Sequence, residues 1–239
     1  MDVRLPGAGV ELEARVYEAR GAVARGVAVI AHRACGGRAA THAAYGYVGG
    51  TLANPVVVYV AEALAASGVH AVTYNARGVG ASGGRISWTM RAECDDMQAL
   101  TQAVLQRYGG RVSAAQPHVY IVGYSAGSMQ ASTVRVDGGA WRGARVHYVL
   151  ISYPLGVRWL LTALHTGYFA RSMRELVCLA ARGACTVAVA YGTCDEFTGA
   201  EVRGEWAPDA GVRAVARRAG RGGAGRRMRG RCVPAHRAC

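Results

Sequence analysis

The chain has no lysine: all 28 of its Lys+Arg residues are arginine. That points to GC-rich coding rather than to a choice made site by site, so the formal charge of +13 is partly a compositional effect. The charge is also uneven. Residues 207–239 hold nine Arg against one acid, Asp209, a net +8 that leaves +5 for residues 1–206. No long apolar run is present either. The longest uncharged stretch, Ala39 to Ala61, is broken by Thr, His, Asn, Pro and Gly, and the N-terminus lacks a basic segment followed by an apolar one. No signal peptide and no membrane span are expected. The seven cysteines (35, 94, 178, 185, 194, 232 and 239) are odd in number, with no C-x-x-C. They fit thiols in a reducing compartment better than a disulfide framework, and the expected location is cytoplasmic.

What is present is enough for one large domain: 239 residues, 51% hydrophobic. Apolar runs and helical patterns alternate along it. "ELEARVYEA" (11–19) reads as a half-exposed strand and "GVAVIAH" (26–32) as a buried one. A helix over 55–68 would present Val58, Ala61, Leu64 and Ala65, followed by the strand "VHAVTYN" (69–75) and a Gly-rich loop. The helix 91–109 would bury Met97, Leu100, Val104 and Leu105. Strands follow at 118–123, 146–154 and 185–192, with a long apolar helical stretch at 157–182. Strands separated by helices of this length imply an α/β class with a mostly parallel sheet and helices on both faces. After Trp206 the pattern collapses. The segment 207–239 is an Arg/Gly/Ala-rich tail without aromatics, Ile or Leu, expected to be disordered.

Two stretches have the G-x-S-x-G spacing: Gly123-Tyr124-Ser125-Ala126-Gly127 and Gly80-Ala81-Ser82-Gly83-Gly84. In a chain with 33 glycines the pattern alone cannot select a nucleophile. Context selects Ser125, because a nucleophile elbow needs a buried strand immediately before it and a helix immediately after. Ser82 lies well past its strand, and its helix begins several residues later.

With those residues in view, the sequence over about 10–206 resembles the α/β-hydrolase family. "GYSAGS" looks like the family's elbow, and "AVIAHRACGG" is similar to the strand, His and Gly-containing loop that supply the second oxyanion donor. "NARGVGASGG" resembles its R-G-x-G-x-S loop, and "AVAYGTCDEFTG" the strand and turn that present the acid. "SYPLG" and "DEFTG" are similar to esterase-like or serine-aminopeptidase-like members. The resemblance implies Ser125 as nucleophile, the Ala126 N–H and a backbone N–H near Arg33 or Ala34 as oxyanion donors, and Asp195 as the acid. The chain has Arg33 where the family often has Pro or Gly.

A serine hydroxyl needs a base held in one tautomer by a carboxylate, in the chain order Ser, acid, His. Six of the seven histidines precede Asp195. His32 ends a strand and reads as a loop-orienting residue, His70, His118 and His147 as packed or edge residues, His42 as a loop residue and His165 as part of the apolar stretch. Only His236 stands in the expected order, and the strand and helix the family places around its histidine are not visible, so the last strand and helix are expected to be missing or degenerate. The tail admits three readings: the C-terminus of a shortened or inactive hydrolase-fold protein, an out-of-frame translation of GC-rich DNA, or an arginine-rich segment binding polyanions through phosphates. Cys232, His236 and Cys239 are spaced too irregularly to argue for zinc; no metal and no cofactor are expected.

Residues 155–183 could form a minimal cap, with His32, Tyr124, Trp159 and Phe169 lining a pocket for an apolar acyl group. The leading function is a serine hydrolase acting on a small-molecule ester, thioester or small amide. The alternative is a triad-incomplete, non-catalytic binding protein whose basic tail meets nucleic acid.

Overall fold

A computed structural model describes residues 1–32, 50–112, 114–136, 141–157, 161–162, 165–192 and 212–217. Eight strands form one sheet: β1 (Asp2–Pro6), β2 (Glu11–Tyr17), β3 (Gly26–Ala31), β4 (Val69–Tyr74), β5 (His118–Tyr124), β6 (Arg145–Ile151), β7 (Thr186–Gly192) and β8 (Val212–Arg217). Their order is β1-β2-β4-β3-β5-β6-β7-β8. The first two pairings, β1 with β2 and β2 with β4, are antiparallel, and every later one is parallel. Complete among the described residues are the helices α1 (Pro55–Ala66), α2 (Arg91–Tyr108), α3 (Ala126–Thr133) and α4 (Thr166–Ala181) and a 3₁₀ turn at Leu155–Val157.

Chain direction decides which face each helix covers. The step from β3 to β4 runs one way along the sheet, and the steps β4 to β5, β5 to β6 and β6 to β7 run the other. Right-handed crossovers therefore put α1 on one face and α2, α3 and α4 on the opposite one. The core divides accordingly. Val57 and Ala61 of α1 pack with Ala28, Ile30, Ala71 and Val122. On the other face Met97, Leu100 and Val104 of α2, Met129 of α3 and Phe169 and Leu176 of α4 pack with Val27, Val29, Ile121 and Leu150. β3 and β4 are buried along their whole length, which explains why β3 reads as an unbroken apolar run and β4 as one interrupted only by His70 and Thr73.

Most expected elements stand where the pattern put them, and the differences have physical reasons. The apolar face of α1 is Val57, Ala61 and Ala65, with Val58 and Leu64 only half-buried. Placing two alanines inward lets the helix approach the sheet closely. Asn54 starts it by accepting from the Val56 N–H at 3.0 Å, and Pro55 fills the first position, where no N–H is needed. The expected strand 146–154 ends at Ile151 because Ser152 turns to φ 50°. Within the helical stretch 157–182, α4 packs Phe169, Met173 and Leu176 inward as an ordinary layer helix. β8 was not foreseen. It lies inside the segment read as a tail, and its Val212 to Arg217 pair in parallel with Val187 to Gly192.

The Gly-rich loop after β4 is held by side chains. Asp96 of α2, 1% exposed at its side chain, accepts from Arg77 Nε and Nη2 at 2.7 Å each and from the Ala8 N–H at 2.8 Å. Glu13 accepts from Asn75 Nδ2 and from the Ala81 N–H, both at 2.7 Å, and Asn75 in turn accepts from the Leu52 N–H at 2.8 Å. Asp96→Ala leaves Arg77 with its charge largely buried and without that partner, and is expected to cost about 3–5 kcal/mol, read by urea denaturation.

At the amino-terminal edge of the sheet, His118 Nδ1 meets His147 Nε2 at 2.8 Å, His147 Nδ1 meets Thr186 Oγ1 at 2.7 Å, and Tyr120 stacks on His147 with centroids 4.7 Å apart. Burial, followed by the neighbouring His118 and Arg145, lowers the His147 pKa from its usual 6.5. The unfolded chain therefore takes up this proton at higher pH than the folded one. The stability His147 contributes is complete above pH 6.5 and is lost as pH falls from there through the lower folded value. His147→Gln is expected to flatten the fall in the urea midpoint between about pH 7 and 5, where the wild type declines.

Candidate active site

β5 ends at Tyr124, Ser125 makes the turn, and α3 begins at Ala126. Ser125 has φ 56° and ψ −126°, a conformation that non-glycine residues rarely hold and that costs about 1–3 kcal/mol. Its neighbours fix it there. The Ser125 N–H donates to Ile151 O at 2.8 Å, and Ser125 O accepts from the Ser128 N–H at 2.9 Å and from the Ser128 hydroxyl. Although Ser125 stands at the N-cap position, its side chain does not cap α3, so the hydroxyl is not spent on the helix.

Both glycines of the motif are required by close approach. A Cβ on Gly123 would lie 2.3 Å from Gly127 O, and one on Gly127 would lie 2.6 Å from the Ala31 carbonyl and 2.8 Å from His32 N. α3 thus lies directly against the ends of β5 and β3. This contact also carries the start of the loop after β3 to the serine turn. His32, 2% exposed, is the last described residue before that loop, and the oxyanion candidates Arg33 and Ala34 lie outside the described residues.

The Ala126 N–H belongs to the first turn of α3, where backbone donors have no carbonyl within the helix to meet. Such donors beside a strained serine suit a developing oxyanion. Tyr124 is half-buried on the α1 face of the sheet. β7, the strand before Asp195, reaches Gly192 at the same carboxyl edge as Ser125, while Asp195, Trp159 and His236 lie outside the described residues.

Two expectations are settled by burial and bonding. Phe169 is fully buried in the larger core, where it meets Tyr168 edge-on at 5.0 Å, so it packs α4 to the sheet instead of lining a pocket. Ser82 donates its hydroxyl to Asn75 O at 2.7 Å and accepts from the Glu13 N–H at 2.9 Å. Both of its roles bind the loop to β2, and the second G-x-S-x-G match is structural. His70 packs on Tyr108 with centroids 4.4 Å apart, and the His118 and His147 pair sits at the opposite edge of the sheet from Ser125.

Sequence reasoning missed two residues of the turn. Ser128 ties down the Ser125 carbonyl, a role its position three residues after Ser125 could have suggested. Ser152 takes φ 50° one step beyond Ile151, the residue that accepts from Ser125, and no sequence signal marks that conformation. Among the described residues no group of three or more His, Cys, Asp or Glu could hold a metal ion, and no helix is long and apolar enough to cross a membrane.

No protein-family model matches the sequence, and no curated protein matches it. Solved structures do resemble it. An α/β serine hydrolase homologue from Coxiella burnetii aligns at TM-score 0.62 and 22% identity over 92% of this chain and 87% of that one. An α/β serine hydrolase without a lid from Xanthomonas campestris aligns at 0.59 and 20% identity, over 92% and 84%. The ferulic acid complex of Est1E from Butyrivibrio proteoclasticus aligns at 0.59 and 14% identity, over 90% and 89%. With the serine turn seated between a parallel strand and a buried helix, and with these likenesses spanning nearly the whole chain, the fold is that of the α/β serine hydrolases.

Proposed function

We propose that the chain is a serine hydrolase that cleaves a carboxylic ester, thioester or small amide through an acyl-enzyme on Ser125. The observation that carries this reading is the serine turn itself: backbone strain is held at Ser125 while its hydroxyl is left out of the capping that would ordinarily occupy it. Strain of that kind has no structural purpose at a turn that a glycine would make at no cost.

In this reading Ser125 Oγ attacks the acyl carbon, its proton passes to a histidine and then to the leaving alcohol, thiol or amine, and water releases the acid. The Ala126 N–H and an N–H at Arg33 or Ala34 receive the negative charge that forms on the carbonyl oxygen. Asp195 follows β7 and orients the base, and His236 is the base by chain order. An ester-cleaving role is supported by the structural likeness to a Pyrococcus furiosus esterase, which aligns at TM-score 0.62. A reducing, cytoplasmic setting fits Cys94, Cys178 and Cys185, which form no disulfide among the described residues.

A fluorophosphonate probe read by intact mass, with aryl ester and thioester turnover, tests the assignment. Ser125→Ala is expected to lose the label and to lower kcat by a factor on the order of 10⁴ or more, whereas Ser82→Ala keeps both and loses about 1 kcal/mol of stability. A folded wild type that neither labels nor turns over these substrates would leave the non-catalytic reading in possession.

Asp195→Asn and His236→Ala separate the two remaining roles. Each is expected to lower kcat by a factor on the order of 10³–10⁴ while substrate binding persists. Full activity in His236→Ala would remove that residue from the mechanism and return the search to the six other histidines.

A further inference from the structure

The outer face of α4 carries arginines at helical spacing. Arg171, Arg174 and Arg182 line a groove of about 460 Å³ together with Arg135, which follows α3. Among the described residues of that lining Glu175 is the only acid, so four cations stand against one anion. Glu175 is moreover engaged by Arg135 at 3.3 Å. Arg135 is fixed as the floor of the groove by donating to Ser132 O at 2.8 Å, Val134 O at 2.9 Å and Ser172 O at 3.1 Å. Among the described residues, Arg171, Arg174 and Arg182 form no ion pair.

Like charges on one helix face repel, and an exposed face of ordinary composition would alternate the signs. This one concentrates them around a concavity whose floor is already rigid. Guanidinium groups match the oxygens of a phosphate in pairs, and Arg171 to Arg182 span about 16 Å of helix, room for more than one phosphate along a chain. Among the described residues no aromatic side chain lines the groove, so they offer no surface on which a base could stack. The groove also stands apart from the serine: α3 places Ser125 at its start and Arg135 beyond its end.

We propose that this groove binds the phosphate backbone of a nucleic acid without reading its bases. The site is distinct from the Arg-rich segment beyond β8 and does not depend on Ser125 being active.

The test uses the full chain and a fluorescein-labelled oligonucleotide of mixed sequence, read by anisotropy across a salt series. The variant Arg171→Gln/Arg174→Gln/Arg182→Gln is compared with Arg20→Gln/Arg107→Gln/Arg142→Gln, which removes the same charge from exposed positions elsewhere. The nine arginines of residues 207–239 are present in both, so their contribution cancels. Loss of three phosphate contacts is expected to flatten the slope of log K against log salt by about 2 in the groove variant and to leave it nearly unchanged in the control. If the triple variant melts early, Arg174→Gln alone is expected to flatten the slope by about 0.7. Equal slopes in the two triple variants, no binding by the wild type, or a more than about tenfold preference among homopolymers, a margin that base readout would supply, would each overturn the proposal.

Discussion

At Gly127 a methyl group would sit 2.6 Å from the Ala31 carbonyl, and at Gly123 one would sit 2.3 Å from Gly127 O. This double close approach of α3 to the ends of β3 and β5 is the constraint on which the rest of the molecule depends. It forces the chain to reverse within one residue, Ser125, and it brings the end of β3 against the start of α3. It also explains the character of α3, which is buried from Ala126 through Ser132 and, apart from Met129 and Gln130, built of small or hydroxylic residues that can fit there. Ser132 and Thr133 return their hydroxyls to Met129 O and Gln130 O at 2.7 Å each, so these side chains satisfy themselves within the helix. Gln130 also accepts from the Tyr74 hydroxyl at 3.2 Å, tying α3 to β4.

The two edges of the sheet are built differently because they do different things. At the amino-terminal edge, β3 and β5 come so close that a Cβ on Gly26 would lie 2.0 Å from His118 O, and the histidine pair closes the corner between β5 and β6. These groups serve packing and register. At the carboxyl edge, by contrast, the loop after β4 and the turn after β5 carry the polar work. The loop after β4 was open to a catalytic reading, since it contains a serine in the right pattern, yet Asn75, Arg77 and Ser82 are bonded so as to hold β2, β4 and α2 together. The physical distinction between Ser82 and Ser125 is therefore one of hydrogen bonds already made.

Sequence legibility followed burial and length. β3 and β4 are apolar at nearly every position because both of their faces are covered, and α2 shows its inward face through Met97, Leu100, Val104 and Leu105. β1 was illegible because it is only five residues long, so that half-buried Val3 and buried Leu5 are the whole of its inward face. β8 alternates Val and Ala with Arg in a segment whose composition is set by arginine and glycine, so its sequence resembles its surroundings more than a strand. The inward face of α1 was misplaced by one residue because alanine and valine both read as apolar, and only the distance between helix and sheet tells which is needed. Ser125 was legible through its context, a strand before and a helix after. Ser152 and the spent hydroxyl of Ser82 depend on partners far away in sequence, and no local pattern encodes them.

The carboxyl edge has an order that joins these parts. The Ser125 N–H donates to Ile151 O on β6 at 2.8 Å, and the Ser152 N–H donates to Ala190 O on β7 at 2.7 Å. Each strand is thus tied to the next by the residue at which it stops being a strand, and at both of these residues φ is positive, 56° at Ser125 and 50° at Ser152. Strained backbone persists only where the surroundings over-determine it. Here each strained residue is held by the neighbouring strand, whose own end is held by the one after it. Weakening the pairing of β7 with β6 would therefore loosen Ser152 first and, through Ile151, the turn at Ser125. The position of the serine rests on the whole series of parallel strands from β5 to β7, and this couples Ser125 to the strand that leads to Asp195 through the backbone alone.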